Sequence, residues 1–214
     1  MRLHIGQPPA TPDFMPKEEG WTPLKEPSPL VLNLVATPVG VLAAVLIAFA
    51  WGTPSVRLEG GPTSFGLLGP LIAIAAIFGI GFLLLVAAHE LIHALGYPKF
   101  GFTPSTMIAF WPSKLLFLAI HYDALPRNRL LLVYLLPLLV ISVFPLIVCR
   151  SLGIESVLLM LASIANALVA GGDIFCFFLI LAQVPANALV RNQGWATWWK
   201  SVDGAGERSE TEPK

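Results

Sequence analysis

Charge is scarce in this chain. Acidic and basic residues number thirteen each and together make up 12% of the 214 residues, about half the usual share for a soluble domain. A soluble globule needs a charged coat, and many of these few charges sit in the two tails, so the composition excludes an ordinary soluble domain. The signs balance to a net charge of zero. With no basic excess to neutralise phosphates, nucleic acid is not an expected partner. Cysteine is scarcer still: Cys149 and Cys176 lie in apolar runs without CxxC spacing, which excludes a disulfide framework and argues against a thiolate zinc site. Both read as small buried hydrophobes. Nor does an apolar run follow Arg2, so no secretory signal is expected. Residues 1–29 hold seven prolines and Glu18, Glu19 and Glu26, and are expected to form a disordered or extended tail.

What the chain has in abundance is apolar sequence, 56% of residues, with a mean hydropathy of +0.75. Four segments reach the roughly 20 residues that a bilayer-spanning helix needs: Leu30 to Trp51, Leu67 to about Gly96, Leu130 to Cys149, and Ser156 to Val184, the last interrupted only by Asp173. Backbone groups in lipid must pair internally, so each is read as a helix. Pro70 suits a first turn, whereas Pro137 and Pro145 should kink the third helix. The expected fold is an all-α membrane protein of four transmembrane helices. Its domain, residues 30–190, lies between the tail at 1–29 and a cytoplasmic C-tail at 191–214. Phe100 to Asn128 is more polar; Met107 to Phe110 and Leu116 to Tyr122 could be short strands around Pro112-Ser113, making a hairpin or a re-entrant segment, with a partial fifth helix as the alternative.

Eleven of the thirteen Lys and Arg residues fall in the two tails and in the loop after the second helix; only Arg57 and Arg150 fall in the other loops. This bias predicts a multi-pass cell-membrane protein with both termini in the cytoplasm. Trp195, Trp198, Trp199 and Lys200 then read as an interfacial anchor.

The second apolar segment ends in His89-Glu90-Leu91-Ile92-His93, an HExxH pattern. Helical positions four apart are offset by about 40°, so both imidazoles can reach one metal ion. Glu90, about 100° from His89, stands beside that ion and is free to act as a general base. This composition yields HExxH by chance in roughly 0.3% of such chains, and two of only four histidines lie here within an apolar helix, where ionisable groups are costly. A catalytic zinc takes three protein ligands and leaves a place open. Asp173 is the other deep ionisable group. At 1.5 Å per residue it lies about 27 Å along its helix from Glu155, against about 33 Å from Gly69 to the middle of HExxH, so the two are at similar depth near the cytoplasmic side. Asn166 stands two turns before Asp173 on the same face; it could bind substrate backbone, orient a polar group, or simply bond between helices. Gly171 and Gly172 allow close helix approach. His121 is a reserve ligand.

HELIHALG (89–96) followed by NALVAGGDI (166–174) resembles the DUF3267 family of zincin peptidases, and more broadly the site-2-protease type of intramembrane metalloprotease, over roughly Leu67 to Val190. The resemblance implies that His89, His93 and Asp173 bind Zn2+ and that Glu90 is the catalytic acid/base. Unlike site-2 proteases, the second segment has no proline between Asn166 and Asp173 and no glycine after Asp173. The resulting expectation is a membrane zinc metalloprotease that hydrolyses peptide bonds of a membrane protein or peptide in or near the bilayer. The rivals are a non-catalytic membrane regulator or adaptor that keeps a metal site, and a metal transporter, which the lack of an inverted repeat disfavours.

Overall fold

The computed structural model describes residues 1–52 and 68–202. Arg57, Arg208 and Lys214, three of the cations used to orient the chain, and the start of the second apolar segment at Leu67 lie outside the described residues.

The apolar runs set where the long helices lie. Helix α1 is Pro29–Trp51 and α2 is Leu68–Gly96. Ser28 caps α1 by accepting from Val31 N, Pro29 fills the first turn, and Gly52 closes it at φ 72°. Pro70 falls in the first turn of α2. The third apolar run forms α3 (Arg127–Pro137), a π-helical stretch over Leu138–Val143, and α4 (Phe144–Leu152). In place of the expected kink, Pro137 and Pro145 are accommodated by a π-helical stretch: each lacks an N–H, and the helix between them slips to wider hydrogen-bond spacing while Arg127–Leu152 remains one candidate span. The fourth run is not continuous. It divides into α5 (Val157–Val169) and α6 (Gly171–Gln183), bent by 46°. Gly171 is pressed against α1: a β-carbon there would run into the Ala36 carbonyl and the backbone of Gly40. Low helix propensity at a Gly-Gly pair and the tight seat against α1 together place the break.

By length and composition, three helices among the described residues could cross a membrane: Pro29–Trp51, Ala76–Gly96 and Arg127–Leu152. The count is four if the bent pair is one span. The expectation of an all-α fold needs correction, because two small sheets flank the helices. Strands β1 (Arg2–Ile5), β3 (Thr106–Trp111) and β4 (Leu116–His121) form one in the order β1-β3-β4. The β3–β4 pair is antiparallel around Pro112–Lys114, and β1 adds to β3 in parallel. Of the alternatives for residues 100–128, the hairpin is therefore the one formed. Strands β2 (Thr22–Pro23), β5 (Leu125–Pro126), β6 (Ala188–Gln193) and β7 (Ala196–Ser201) form the second sheet, ordered β2-β7-β6-β5.

The N-terminal segment is thus not a loose tail. Phe14 is fully buried, under the Arg191 guanidinium at 3.9 Å and edge-on to Trp21. The Gln193 amide clamps Thr11 and Phe14 through three hydrogen bonds of 2.7–3.0 Å. Proline-rich chain has little freedom to lose on docking, so a few apolar anchors and one amide suffice where composition suggested disorder. The expected C-tail boundary at residue 191 likewise cuts through β6. Trp195, Trp198 and Trp199 belong to this hairpin; Trp199 packs on the core around Leu125, Leu130 and Val190, and Lys200 Nζ donates to the Glu19 carbonyl at 2.8 Å.

Candidate metal centre

HExxH lies near the C-terminal end of α2, where the helix is covered by α3, β4 and α5. Arg129 closes that end by donating to the Gly96 carbonyl at 3.2–3.3 Å, as a cation at a helix C-terminus should. His89, Glu90 and His93 are all buried.

Each imidazole is held by a partner that decides its tautomer. His93 Nδ1 lies 2.8 Å from the Val133 carbonyl; a carbonyl only accepts, so Nδ1 carries the proton and Nε2 offers a lone pair. His89 Nδ1 lies 2.9 Å from Asn166 Oδ1. The orientation of Asn166 is fixed from the other side. Its Nδ2 donates to the Pro137 carbonyl at 3.0 Å and to Ser142 Oγ at 2.9 Å. Pro137 opens the irregular stretch of the third apolar run, where the wider spacing frees carbonyls from the ladder. Ser163 on α5 serves the same stretch, donating to the Ile141 carbonyl at 3.2 Å and accepting at its own carbonyl from Ser142. With Nδ2 so engaged, Asn166 presents its oxygen to His89, and His89 also keeps its proton on Nδ1 and its lone pair on Nε2.

The two Nε2 atoms stand 3.1 Å apart. Asp173, in the first turn of α6, brings Oδ2 to 2.9 Å from His89 Nε2 and Oδ1 to 3.2 Å from His93 Nε2. Among the described residues these three form the one group of His, Cys, Asp and Glu donors suited to a metal ion, all within 4.8 Å of one another. Tetrahedral zinc with bonds of about 2.0–2.1 Å separates its donors by about 3.3 Å. The separation of the two Nε2 atoms matches that to a few tenths of an ångström, Asp173 meets each imidazole with a different oxygen, and the donor set of two neutral imidazoles and one carboxylate is of the type catalytic zinc takes.

Glu90 lies on the wall of a cavity of about 710 Å³ that also exposes His89, His93 and Asp173. Its Oε2 is buried without a hydrogen-bond partner among the described residues. Strand β4 lines the same cavity. Among the described residues it has a strand neighbour, β3, on one side only. The Tyr97 hydroxyl donates to the Ala119 carbonyl of β4 at 2.7 Å. Tyr134 on α3 lines the cavity too, its ring edge-on to His93. Cys176 lies on the wall, and Cys149 is buried away from it.

His121 is not brought to this group. It is buried on β4 with Nδ1 2.9 Å from Thr106 Oγ1, and its ring stacks on Tyr97. Burial holds its imidazole below the ordinary histidine range, against the pull of Asp123. Sequence reasoning passed over Glu26, Tyr97, Tyr134 and the β4 edge. Tyr97 follows HExxH by four residues, one helical turn, and could have been flagged; Glu26 sits in a segment read as a tail and gave no signal.

A family model, DUF3267, described as "Putative zincin peptidase", matches residues 82–189, just over half of the chain. That span holds HExxH, the hairpin, Asn166 and Asp173. No curated protein and no solved structure matches the chain.

Proposed function

Because the chain belongs to the DUF3267 family of zincin peptidases, we propose that it is a membrane-embedded zinc metallopeptidase that cleaves peptide bonds in or near the bilayer. One observation carries this reading: donor atoms of His89, His93 and Asp173 converge within 4.8 Å on a cavity wall that also bears an unpartnered Glu90 oxygen. The membrane setting is supported by the apolar side chains that α1 and α2 turn outward, among them Leu34, Leu46, Phe49, Phe78 and Leu84, all well exposed. The Lys/Arg bias supports cytoplasmic termini.

Zinc, when bound by His89, His93 and Asp173, would supply Lewis-acid polarisation of the scissile carbonyl and acidify the attacking water. The rest is the work of the chain. Val133 and Asn166 keep both Nε2 lone pairs directed at the ion's place. Glu90, whose Oε2 has no hydrogen-bond partner among the described residues, takes the proton of the water and passes it to the departing amine. Apart from the Ala119 carbonyl that Tyr97 occupies, the edge of β4 not covered by β3 offers backbone N–H and C=O groups to an extended peptide, and the buried setting strengthens each polar contact. A substrate helix must unwind to be cleaved, because only an extended segment can pair with a strand edge.

Metal content and peptide cleavage of the purified protein test this. Wild type should hold one zinc per chain and cleave; His93→Ala should lose the metal; Glu90→Gln should keep it and lose cleavage by at least 100-fold, in line with the loss of a general base. Cleavage by Glu90→Gln at the wild-type rate refutes the mechanism. A cellular function that survives Glu90→Gln would instead favour an adaptor.

A further inference from the structure

The cavity wall bears one acidic group that the reaction does not use. Glu26, three residues before α1, lines the same cavity as His89, His93 and Asp173. Its Oε2 accepts from the Thr197 amide at 3.1 Å, so strand β7 holds the carboxylate in place. Among the described residues no Lys, Arg or His is within ion-pair distance of it, and no Lys or Arg lines the cavity. Nearby Lys200 is turned to other work, its Nζ bonding the Glu19 carbonyl. The charges at the centre also leave Glu26 over, since a divalent ion would be balanced by Asp173 and Glu90. Glu26 is half-buried, and a carboxylate even partly withdrawn from water is costly without a cation. Burial holds the Glu26 carboxyl above the ordinary range, outweighing the bonds from Thr197.

We propose that Glu26 is a specificity-determining residue that receives a cationic group of the peptide substrate, an ammonium or guanidinium, at one subsite of the cavity. This assignment rests on the peptidase reading above. The cation could come from a Lys or Arg side chain or from a free α-amine. Charge-assisted hydrogen bonds are about twice as strong as neutral ones, and an amine seated on the half-buried Glu26 carboxylate would gain one while supplying the counter-charge it lacks. A merely structural role for Glu26, closing the β2–β7 junction through Thr197, requires only a carbonyl-type acceptor. Glutamine supplies that acceptor without the charge, so the two roles separate.

The test uses the full-length, zinc-loaded protein and a set of quenched fluorescent peptides in which Lys, norleucine or Glu is moved through successive positions, each made with a free and with an acetylated amino terminus. At one position Lys, or the free terminus alone, should be favoured over its neutral counterpart by about 10- to 100-fold in kcat/KM. Glu26→Gln should reduce that ratio to within about twofold, Glu26→Asp should retain part of it, and Glu26→Ser replaces Gln if the latter does not fold. Anisotropy with the same peptides on Glu90→Gln protein should give the same ratio in binding, lost again when Glu26→Gln is added. Cleavage with no cationic preference anywhere, or a ratio that survives Glu26→Gln, overturns the proposal. If peptides bind and none is cleaved, the peptidase reading falls, while the binding ratio still decides the role of Glu26.

Discussion

At the scale of single residues, the candidate centre depends on side chains that touch no metal. Asn166 joins the His89 imidazole to the Pro137 carbonyl and Ser142 hydroxyl, and is fully buried. Removing it leaves His89 Nδ1 without its acceptor and lets the ring turn or change tautomer. Outer partners of this kind are worth about 10- to 100-fold in metal affinity. Asn166→Ala should therefore weaken zinc binding by about that factor in a chelator competition, with His93 and Asp173 still in place. Unchanged zinc affinity in a folded variant would reduce Asn166 to a bond between helices. The same variant leaves a buried carbonyl and hydroxyl short of a donor, so a loss of about 1–3 kcal/mol in stability is also expected.

At the scale of elements, the break between α5 and α6 brings Asp173 round to the two histidines. It depends on how closely α1 approaches. Gly40 of α1 and Gly171 of α6 meet backbone to backbone, and a β-carbon on Gly40 would run into the Leu168 carbonyl. Gly172, one position on, has open space at its β-position. Gly171→Val should cost about 1–3 kcal/mol or more through overpacking, read as a lowered melting temperature in detergent. Gly172→Ala should be neutral or stabilise by up to about 1 kcal/mol, since alanine is the better helix former. Equal effects at both positions would show that close approach at Gly171 does not set the break. The third apolar run shows the same linkage of sequence to geometry: Pro137 and Pro145 disturb the ladder, and the carbonyls of Pro137 and Ile141 are met by Asn166 and Ser163 of α5.

For the whole molecule, both sheets and the centre gather where the Lys/Arg-rich segments meet: the N-terminal segment, the 97–129 stretch and the β6–β7 hairpin. Phe14, Leu24 and the Gln193 clamp bind the first of these to the last. In the proposed topology this face is cytoplasmic. Ser201, exposed at the end of β7, is a suitable reporter: a cysteine placed there in a background free of Cys149 and Cys176 should resist impermeant thiol reagents in intact cells and react once the cells are opened. Efficient labelling in intact cells would invert the topology.

The sequence by itself determined what depends on short spacing. Apolar runs of about 20 residues located the long helices, the i,i+4 interval put His89 and His93 on one face, and the turn residues Pro112-Ser113 made the β3–β4 hairpin one of the alternatives for that stretch. Counting residues along helices also pointed to Asp173 as the partner of HExxH, although the count assumed one unbroken helix from Glu155. Only the tertiary structure decided what depends on partners far away in the chain. Proline content suggested disorder for residues 1–29, but whether that segment orders depends on Gln193, Arg191 and Thr197, more than 160 residues on. An apolar run that looked continuous became two helices because α1 packs against Gly171. The proton positions on His89 and His93 follow from Asn166 and from a backbone carbonyl at Val133 that no residue type announces. Helical and strand periodicity is local and is written in the sequence, whereas complementarity between distant surfaces becomes visible only when they meet.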